Sequence, residues 1–150
     1  MIYETNTDRQ RAREIIFRFC AVFGYTASEL PPKYALDFAL LQDGEIGGLA
    51  EVKDRPEWNA DSMDRAGGYM LSAHKVAAGL HLCELADKRF ILVIHLSDGI
   101  WWVRIDREAA AKWPLRWFGG YNVPRRNADK EPVFMIPMRQ FRRLEERDEG

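Results

Sequence analysis

The sequence predicts a mixed α/β domain in which helices pack on a central sheet. Three observations predict it: helix-like and strand-like patterns follow one another along the chain, Gly and Pro residues separate them, and no segment repeats. The chain has 150 residues, of which 47% are hydrophobic and 30% charged, with a formal net charge of -1. We expect a single domain over residues 1–150, because a chain of about this length encloses one apolar core.

The first half of the chain is predicted to form a helix and a hairpin. Apolar residues recur every three or four positions over 7–23, and Gly24 then provides a helix stop. Strands are predicted at 34–41 and 48–54, and the Asp43-Gly44 pair between them is typical of a hairpin turn.

The second half is predicted to contain a helix over 69–86, a strand over 89–96 and a hairpin partner over 100–106. A strand at 133–136 and a short helix from Met138 follow, with Arg139, Arg142 and Arg143 on a solvated terminal helix. The predicted order of elements is therefore α, β, β, α, β, β, β, α.

Composition excludes several classes of protein. The longest apolar run, 90–94, has five residues, whereas a membrane-spanning helix needs about 20, and the polar N-terminus has no signal-peptide pattern. We therefore expect a cytoplasmic protein without a membrane partner. Cys20 and Cys83 fit neither a disulfide framework nor a zinc site, so we expect two buried thiols. Because the net charge is near zero, a nucleic-acid partner would need local positive charge.

The pattern that indicates chemistry joins two neighbouring strands. Asp37 interrupts an apolar strand, and Glu51-Val52-Lys53 lies on the next one. Glu51 and Lys53 are two residues apart, so their side chains share one face. An acid-x-Lys triplet occurs about once by chance in a chain of this composition, so its placement and not the triplet itself supports a site.

The register of the hairpin decides whether Asp37 meets Glu51. A two-residue turn alone pairs Asp37 with Ala50 and directs Glu51 to the opposite face of the sheet. A three-residue connection, or one bulge at Gly47-Gly48, instead places Asp37 opposite Glu51 at about 4.5 to 5.5 Å. We predict this second register.

Two carboxylates at that distance repel unless a cation neutralises them, and hard oxygen ligands suit Mg²⁺ or Mn²⁺. The Lys53 ammonium would then orient or help deprotonate a water, or stabilise charge on a phosphoryl oxygen. The reaction indicated is metal-dependent phosphodiester hydrolysis.

At Asp37 and Glu51-Val52-Lys53 the sequence resembles the PD-(D/E)XK nuclease superfamily, and more closely a group of small phage-encoded proteins of that type. The closer likeness includes Leu30-Pro31-Pro32-Lys33-Tyr34, Ser72, Lys75, Asp98-Gly99 and Glu131-Pro132-Val133. The resemblance implies a restriction-endonuclease-like αβββαβ core with a mixed central sheet. It also implies that Asp37, Glu51 and the carbonyl of Val52 bind the metal and that Lys53 serves the attacking water. The first Pro of the motif has no counterpart, since Ala35 and Leu36 precede Asp37.

Enzymes of this superfamily often add a carboxylate from the first helix, and the candidates here are Glu4, Asp8 and Glu14. Asp8 lies within about 40° of the apolar stripe of the helix, whereas Glu14 lies roughly 150° from it, so Asp8 is preferred. A first-turn acid that complements the helix dipole is an equally good interpretation of Asp8. Glu4 rests on the resemblance alone.

Basic residues provide candidate nucleic-acid contacts. Arg55, just after the Glu-x-Lys strand, is suited to binding a phosphate. Lys75 lies on an apolar helix row, where a phosphate contact, a contact with Glu51 and simple snorkelling all remain open. Arg125-Arg126, near Trp113 and Trp117, belong either to a DNA-contacting segment or to a loop that covers the core. The three histidines, His74, His81 and His95, are interpreted as structural.

We therefore expect a Mg²⁺- or Mn²⁺-dependent deoxyribonuclease, as an endonuclease that acts as a homodimer or with a partner protein because one such site cuts one strand. If the protein is phage-encoded, it would work in the bacterial host cytoplasm. The alternative is a non-catalytic nucleic-acid-binding or regulatory module that retains the fold. A third interpretation, a surface charge ladder on an interaction protein, requires the even hairpin register.

Overall fold

The computed structural model describes residues 6–118 and 130–146. Its helices and strands, in chain order, are α1 (Asn6–Phe23), β1 (Thr26–Glu29), β2 (Phe38–Gln42), β3 (Glu45–Arg55), α2 (Ala60–Arg65), β4 (Tyr69–Ser72), α3 (Ala73–Ala86), β5 (Arg89–Leu96), β6 (Gly99–Ile105), α4 (Arg107–Ala110), β7 (Leu115–Phe118), β8 (Glu131–Ile136), a 3-10 turn (Met138–Gln140) and β9 (Arg142–Arg143).

The central sheet has the strand order β1-β2-β3-β5-β6-β9. β1, β2 and β3 form an antiparallel meander, and the chain then crosses through α3 so that β5 lies parallel to β3. β6 returns antiparallel to β5, and a second antiparallel sheet has the order β4-β8-β7. The elements α1, β1, β2, β3, α3 and β5 give the predicted αβββαβ order. This arrangement confirms the predicted fold class.

Apolar side chains cover both faces of the central sheet. α1 packs on one face through Ile15, Ile16, Phe19 and Cys20, while α3 and the smaller sheet cover the other face. Because side chains alternate along a strand, β3 directs Ala50 and Val52 to the α1 side and Leu49 to the α3 side. Glu51 and Lys53 consequently lie on the α3 side.

The hairpin of β2 and β3 contains a tight turn followed by a bulge. Asp43 and Gly44 have φ values of 53° and 79°, the left-handed conformations that a two-residue type I′ turn requires. Leu41 pairs with Ile46 but Leu40 pairs with Gly48, so Gly47 is an extra residue in β3.

This bulge produces the odd register. Phe38 pairs with Ala50, and the same register continued by one residue brings Asp37 opposite Glu51. The predicted register is confirmed, by the bulge at Gly47 and not by a three-residue turn. The even register, on which the charge-ladder interpretation depends, is wrong.

Several predicted boundaries are wrong because long-range pairing overrides the local pattern. The strand predicted at 34–41 begins only at Phe38, and the edge strand β1 was not predicted. The helix predicted at 69–86 begins at Ala73, because the four residues before it pair with β8 as β4. The helices α2 and α4 and the strand β7 were also missed. The predicted terminal helix is a 3-10 turn followed by β9, which pairs with Trp101 and Trp102 of β6.

The predicted helix stop at Gly24 and the predicted burial of both cysteines are confirmed. α1 ends where Gly24, at φ 77°, donates its N–H to the Cys20 carbonyl. Cys20 and Cys83 are buried, and this burial raises the pKa of each thiol to about 11. In the described part of the chain, no helix is both long and apolar enough to cross a membrane.

Candidate active site

Asp37 lies immediately before β2, and main-chain hydrogen bonds hold it against β3. Its N–H donates to the Ala50 carbonyl at 2.9 Å, and its carbonyl accepts from Leu30 N–H at 2.8 Å. Its side-chain Oδ2 accepts the N–H of Val52 at 2.9 Å. The Asp37 carboxylate is therefore positioned beside the strand that carries Glu51 and Lys53.

The Glu51 side chain is 1% exposed. Among the residues that the structure describes, it is the only buried one that is polar or charged. Its Oε1 lies 3.3 Å from Lys53 Nζ, and its Oε2 lies 3.3 Å from Lys75 Nζ. Within the described residues, Oε2 nevertheless accepts no hydrogen bond of good geometry. Burial raises the pKa of Glu51 and the nearby Asp37 raises it further, whereas Lys53 and Lys75 lower it.

The two ammonium groups reach Glu51 from different elements. Lys53 comes from β3 itself and its side chain is 22% exposed. Lys75 comes from the first turn of α3, is 31% exposed, and donates to the carbonyl of Ala35 at 2.9 Å. The contact between Lys75 and Glu51, one of the alternatives left open by the sequence, is thus present. No sequence signal indicates the Ala35 carbonyl, because any residue carries one.

The start of α1 borders a cleft beside Asp37. Asp8 is exposed in the first turn of α1, and its neighbour Arg9 lines a cleft of about 440 Å³ together with Tyr34, Leu36 and Asp37. The other helical candidate, Glu14, is exposed to solvent as expected. Glu4 lies outside the described residues.

The predicted nucleic-acid contacts are only partly described. Arg55 is half-buried at the end of β3 and donates from Nη1 to the carbonyl of Asp54 at 2.9 Å. Arg125 and Arg126 lie outside the described residues. Trp113 is buried in the core, whereas Trp117 on β7 is 56% exposed.

Sequence reasoning missed a polar cluster on the opposite face of β3. Asp54 Oδ1 lies 2.8 Å from Nδ1 of His95 on β5, and Asp54 Oδ2 lies 3.6 Å from Nη1 of Arg11 on α1. His95, which the sequence analysis interprets as structural, thus pairs with a carboxylate on the neighbouring strand. Its partner was not predictable, because it depends on the parallel pairing of Asp54 with His95 in two strands 41 residues apart.

The chemistry of the site suits a divalent cation. Two carboxylates lie on one wall, and Oε2 of Glu51 is buried without a hydrogen bond, which is costly unless a cation satisfies it. The described residues contain no group of three or more His, Cys, Asp or Glu that could hold a metal, so a main-chain oxygen, waters or substrate would complete the coordination. The negative charges of Asp37 and Glu51 balance the positive charges of Lys53 and Lys75. An added divalent ion would give the site a net positive charge, which attracts the negative charge of a phosphodiester.

Comparison with known proteins finds a matching family model and similar solved structures. A family model described as "Phage putative PDDEXK endonuclease" matches residues 1–144, which include Asp37, Glu51 and Lys53. No curated protein matches the chain. Among solved structures, the chain is similar to Hjc, a Holliday junction resolvase from the archaeal hyperthermophile Archaeoglobus fulgidus. That match has a TM-score of 0.44 and 12% identity and covers 82% of this chain and 84% of that one.

Proposed function

The chain belongs to this phage PDDEXK endonuclease family, and from that premise we propose that it is a divalent-metal-dependent nuclease that hydrolyses phosphodiester bonds in DNA. The observation that carries the proposal is Glu51. A fully buried carboxylate with an oxygen that lacks a hydrogen bond, close to a second carboxylate, is expensive in a purely structural role. A bound cation removes that cost.

Asp37 and Glu51 are the residues that would hold Mg²⁺ or Mn²⁺, with the carbonyl of Val52 as a third ligand. Oδ2 of Asp37 accepts the Val52 N–H, and this bond holds the carboxylate beside β3, where it would be available to the metal. Asp8, or Glu4 just before α1, would add a further carboxylate from the side of the cleft.

When bound, the metal supplies a Lewis acid and lowers the pKa of a coordinated water. Lys53 stands on the same face as Glu51, held at 3.3 Å from Oε1, where its ammonium orients the attacking water or stabilises the charge that develops on the phosphoryl oxygen. Arg55 lies two residues further along this face and neutralises a neighbouring phosphate. Arg125 and Arg126 are assigned to DNA contact from the sequence alone.

One such site cuts one strand, so a double-strand cut needs two sites. We accordingly propose that the protein acts as a homodimer or with a partner protein, in the cytoplasm of the bacterial host.

The test compares the wild-type protein with Lys53→Ala on supercoiled, linear, nicked and branched DNA, each with Mg²⁺, Mn²⁺ or EDTA. We expect metal-dependent cleavage that falls by about 100-fold or more in Lys53→Ala. The matched control is Lys88→Ala. Lys88 is exposed and lies just before the first residue of β5, whereas Lys53 pairs with Ile94 near the other end of β5. This control should cleave at the wild-type rate.

The rival hypothesis, a non-catalytic nucleic-acid-binding module, makes a different prediction in the same assay. It expects every substrate to stay intact in every metal, together with retention of DNA in a gel shift. That pair of results would replace the nuclease proposal.

A further inference from the structure

We propose that Lys75 is an internal counter-cation for Glu51, which stabilises the metal-free site and competes with the divalent metal for the carboxylate. The proposal rests on the proposed function, since it assumes that Glu51 is a metal ligand. It assigns to Lys75 a role distinct from that of Lys53, although both ammonium groups lie 3.3 Å from a Glu51 oxygen.

The two lysines contact different oxygens of the carboxylate. Lys53 faces Oε1, whereas Lys75 faces Oε2, the oxygen that accepts no hydrogen bond in the described part of the chain. The attraction between Lys75 and Oε2 is therefore coulombic without a directional bond. Binding of a divalent ion at Oε2 would therefore weaken this charge contact without the loss of a hydrogen bond.

Lys75 also has a second partner that metal binding would leave intact. Its Nζ donates to the Ala35 carbonyl at 2.9 Å, and Ala35 lies two residues before Asp37. This bond ties α3 to the segment that presents Asp37, so the ammonium stays at the site whether or not Glu51 binds metal. A positive charge that remains there weakens the binding of a cation.

Burial makes the counter-charge necessary. Glu51 is 1% exposed, and a buried carboxylate without cationic partners is strongly destabilising. Lys75 is 31% exposed and has two protein partners within 3.3 Å, an arrangement that suits neutralisation of Glu51 better than an extended reach toward a phosphate in solvent. Loss of DNA affinity without a change in metal affinity would indicate the phosphate role.

The test measures the full-length K75M protein after metal removal, with K88M as the exposed-lysine control. We expect the melting temperature of metal-free K75M to fall by several degrees. We also expect its affinity for Mn²⁺ alone, measured by calorimetry, to rise by about tenfold. K75R keeps the charge and should restore the wild-type values. An unchanged or weaker Mn²⁺ affinity in K75M would overturn the proposal.

A double variant separates the counter-charge from the tie to Ala35. In an E51Q background, K75M should cost little stability, because no buried charge remains to be neutralised. An equal loss in both backgrounds would assign Lys75 to the Ala35 contact alone and contradict the proposal. Should K75M fail to fold without metal, we expect either Mn²⁺ or the E51Q change to restore folding, and failure of both contradicts the proposal.

The proposed function fails in a different way. A wild-type protein that binds Mn²⁺ but cuts no DNA would reject the nuclease proposal and leave the competition between Lys75 and metal standing. Absence of Mn²⁺ binding in both the wild type and K75M would reject both.

Discussion

Each face of β3 carries a carboxylate with basic neighbours, but the two carboxylates differ in their exposure to solvent. On the α3 side, Glu51 is 1% exposed and its ammonium partners stand at 3.3 Å. On the α1 side, Asp54 is 22% exposed and accepts a close 2.8 Å contact from His95, with Arg11 at its second oxygen. Each carboxylate has two basic neighbours, but Glu51 has an oxygen that is both buried from solvent and without a hydrogen bond.

We infer from this difference that Glu51 belongs to the proposed binding site and that Asp54 belongs to an ion-pair cluster. Asp54 joins three elements, β3, β5 and α1, and its side chain is 22% exposed, so solvent can complete the hydrogen bonding of its oxygens. Glu51 keeps an oxygen without a hydrogen bond in the place where solvent cannot supply one. A buried polar atom in a protein seldom lacks a hydrogen bond unless a ligand or ion binds it. The hydrogen bonding of a carboxylate in the folded protein is therefore more informative about a binding site than its closeness in sequence to another carboxylate.

The largest difference between the two faces is expected in the rate of DNA cleavage. Glu51→Gln removes a ligand charge, so metal-dependent cleavage should fall by about 100-fold or more. Asp54→Asn, three residues away on the other face, should remain within a few-fold of wild type. Initial rates on supercoiled DNA at saturating Mg²⁺ measure both. Equal losses in the two variants would show that the two faces do not differ in function.

The next effect concerns pH and the stability of metal-free protein. Burial, and then Asp37, raise the pKa of Glu51 above its ordinary value of 4.5, against the opposing effect of Lys53 and Lys75. The folded state therefore holds the Glu51 proton more strongly than the unfolded state does, and the stability that this provides below pH 4.5 is lost as the pH rises through the folded pKa. Glu51→Gln does not titrate, so at pH 8 its free energy of unfolding should exceed that of the wild type.

Melting temperatures of both proteins in EDTA, from pH 4.5 to pH 8, measure this difference. The advantage of Glu51→Gln should shrink as the pH falls toward 4.5. An advantage that stays constant across the range would mean that the charge of Glu51 is not its cause.

The smallest effect is expected in the stability of the Asp54→Asn variant. Asp54→Asn weakens contacts of half-exposed groups, so we expect a loss of about 1 kcal/mol or less, or roughly 2–4 °C in melting temperature. Asp61→Asn is the control, because its pair with Arg65 is 73% and 78% exposed and should contribute almost nothing. If the two variants melt alike, Asp54 does not join its three elements energetically.

Some features of the site follow from local sequence. Glu51 and Lys53 share a face because side chains alternate along a strand, and this holds wherever the strand is placed. The turn at Asp43-Gly44 also follows from local sequence, because Gly44 readily adopts the positive φ of 79° that the turn requires. The pattern of apolar residues in α1 likewise requires one face to be buried.

Other features depend on partners distant in the chain. The segment Tyr69–Ser72 is apolar enough for a helix but pairs as β4 with β8, more than 60 residues later. β1 is short and mostly exposed, and it exists as a strand because β2 offers it an edge. Local propensity does not predict such pairing, because the free energy that selects it comes from hydrogen bonds and packing with another segment.

The chemical types at the site, their spacing and their common face can be derived from the residues alone, because they depend on the period of one strand and the geometry of one hairpin. The burial of Glu51, the contact of Lys75 with it and the pairing of Asp54 with His95 arise only in the folded protein. Burial and charge pairing are properties of segments brought together across the sheet, and no local pattern contains them.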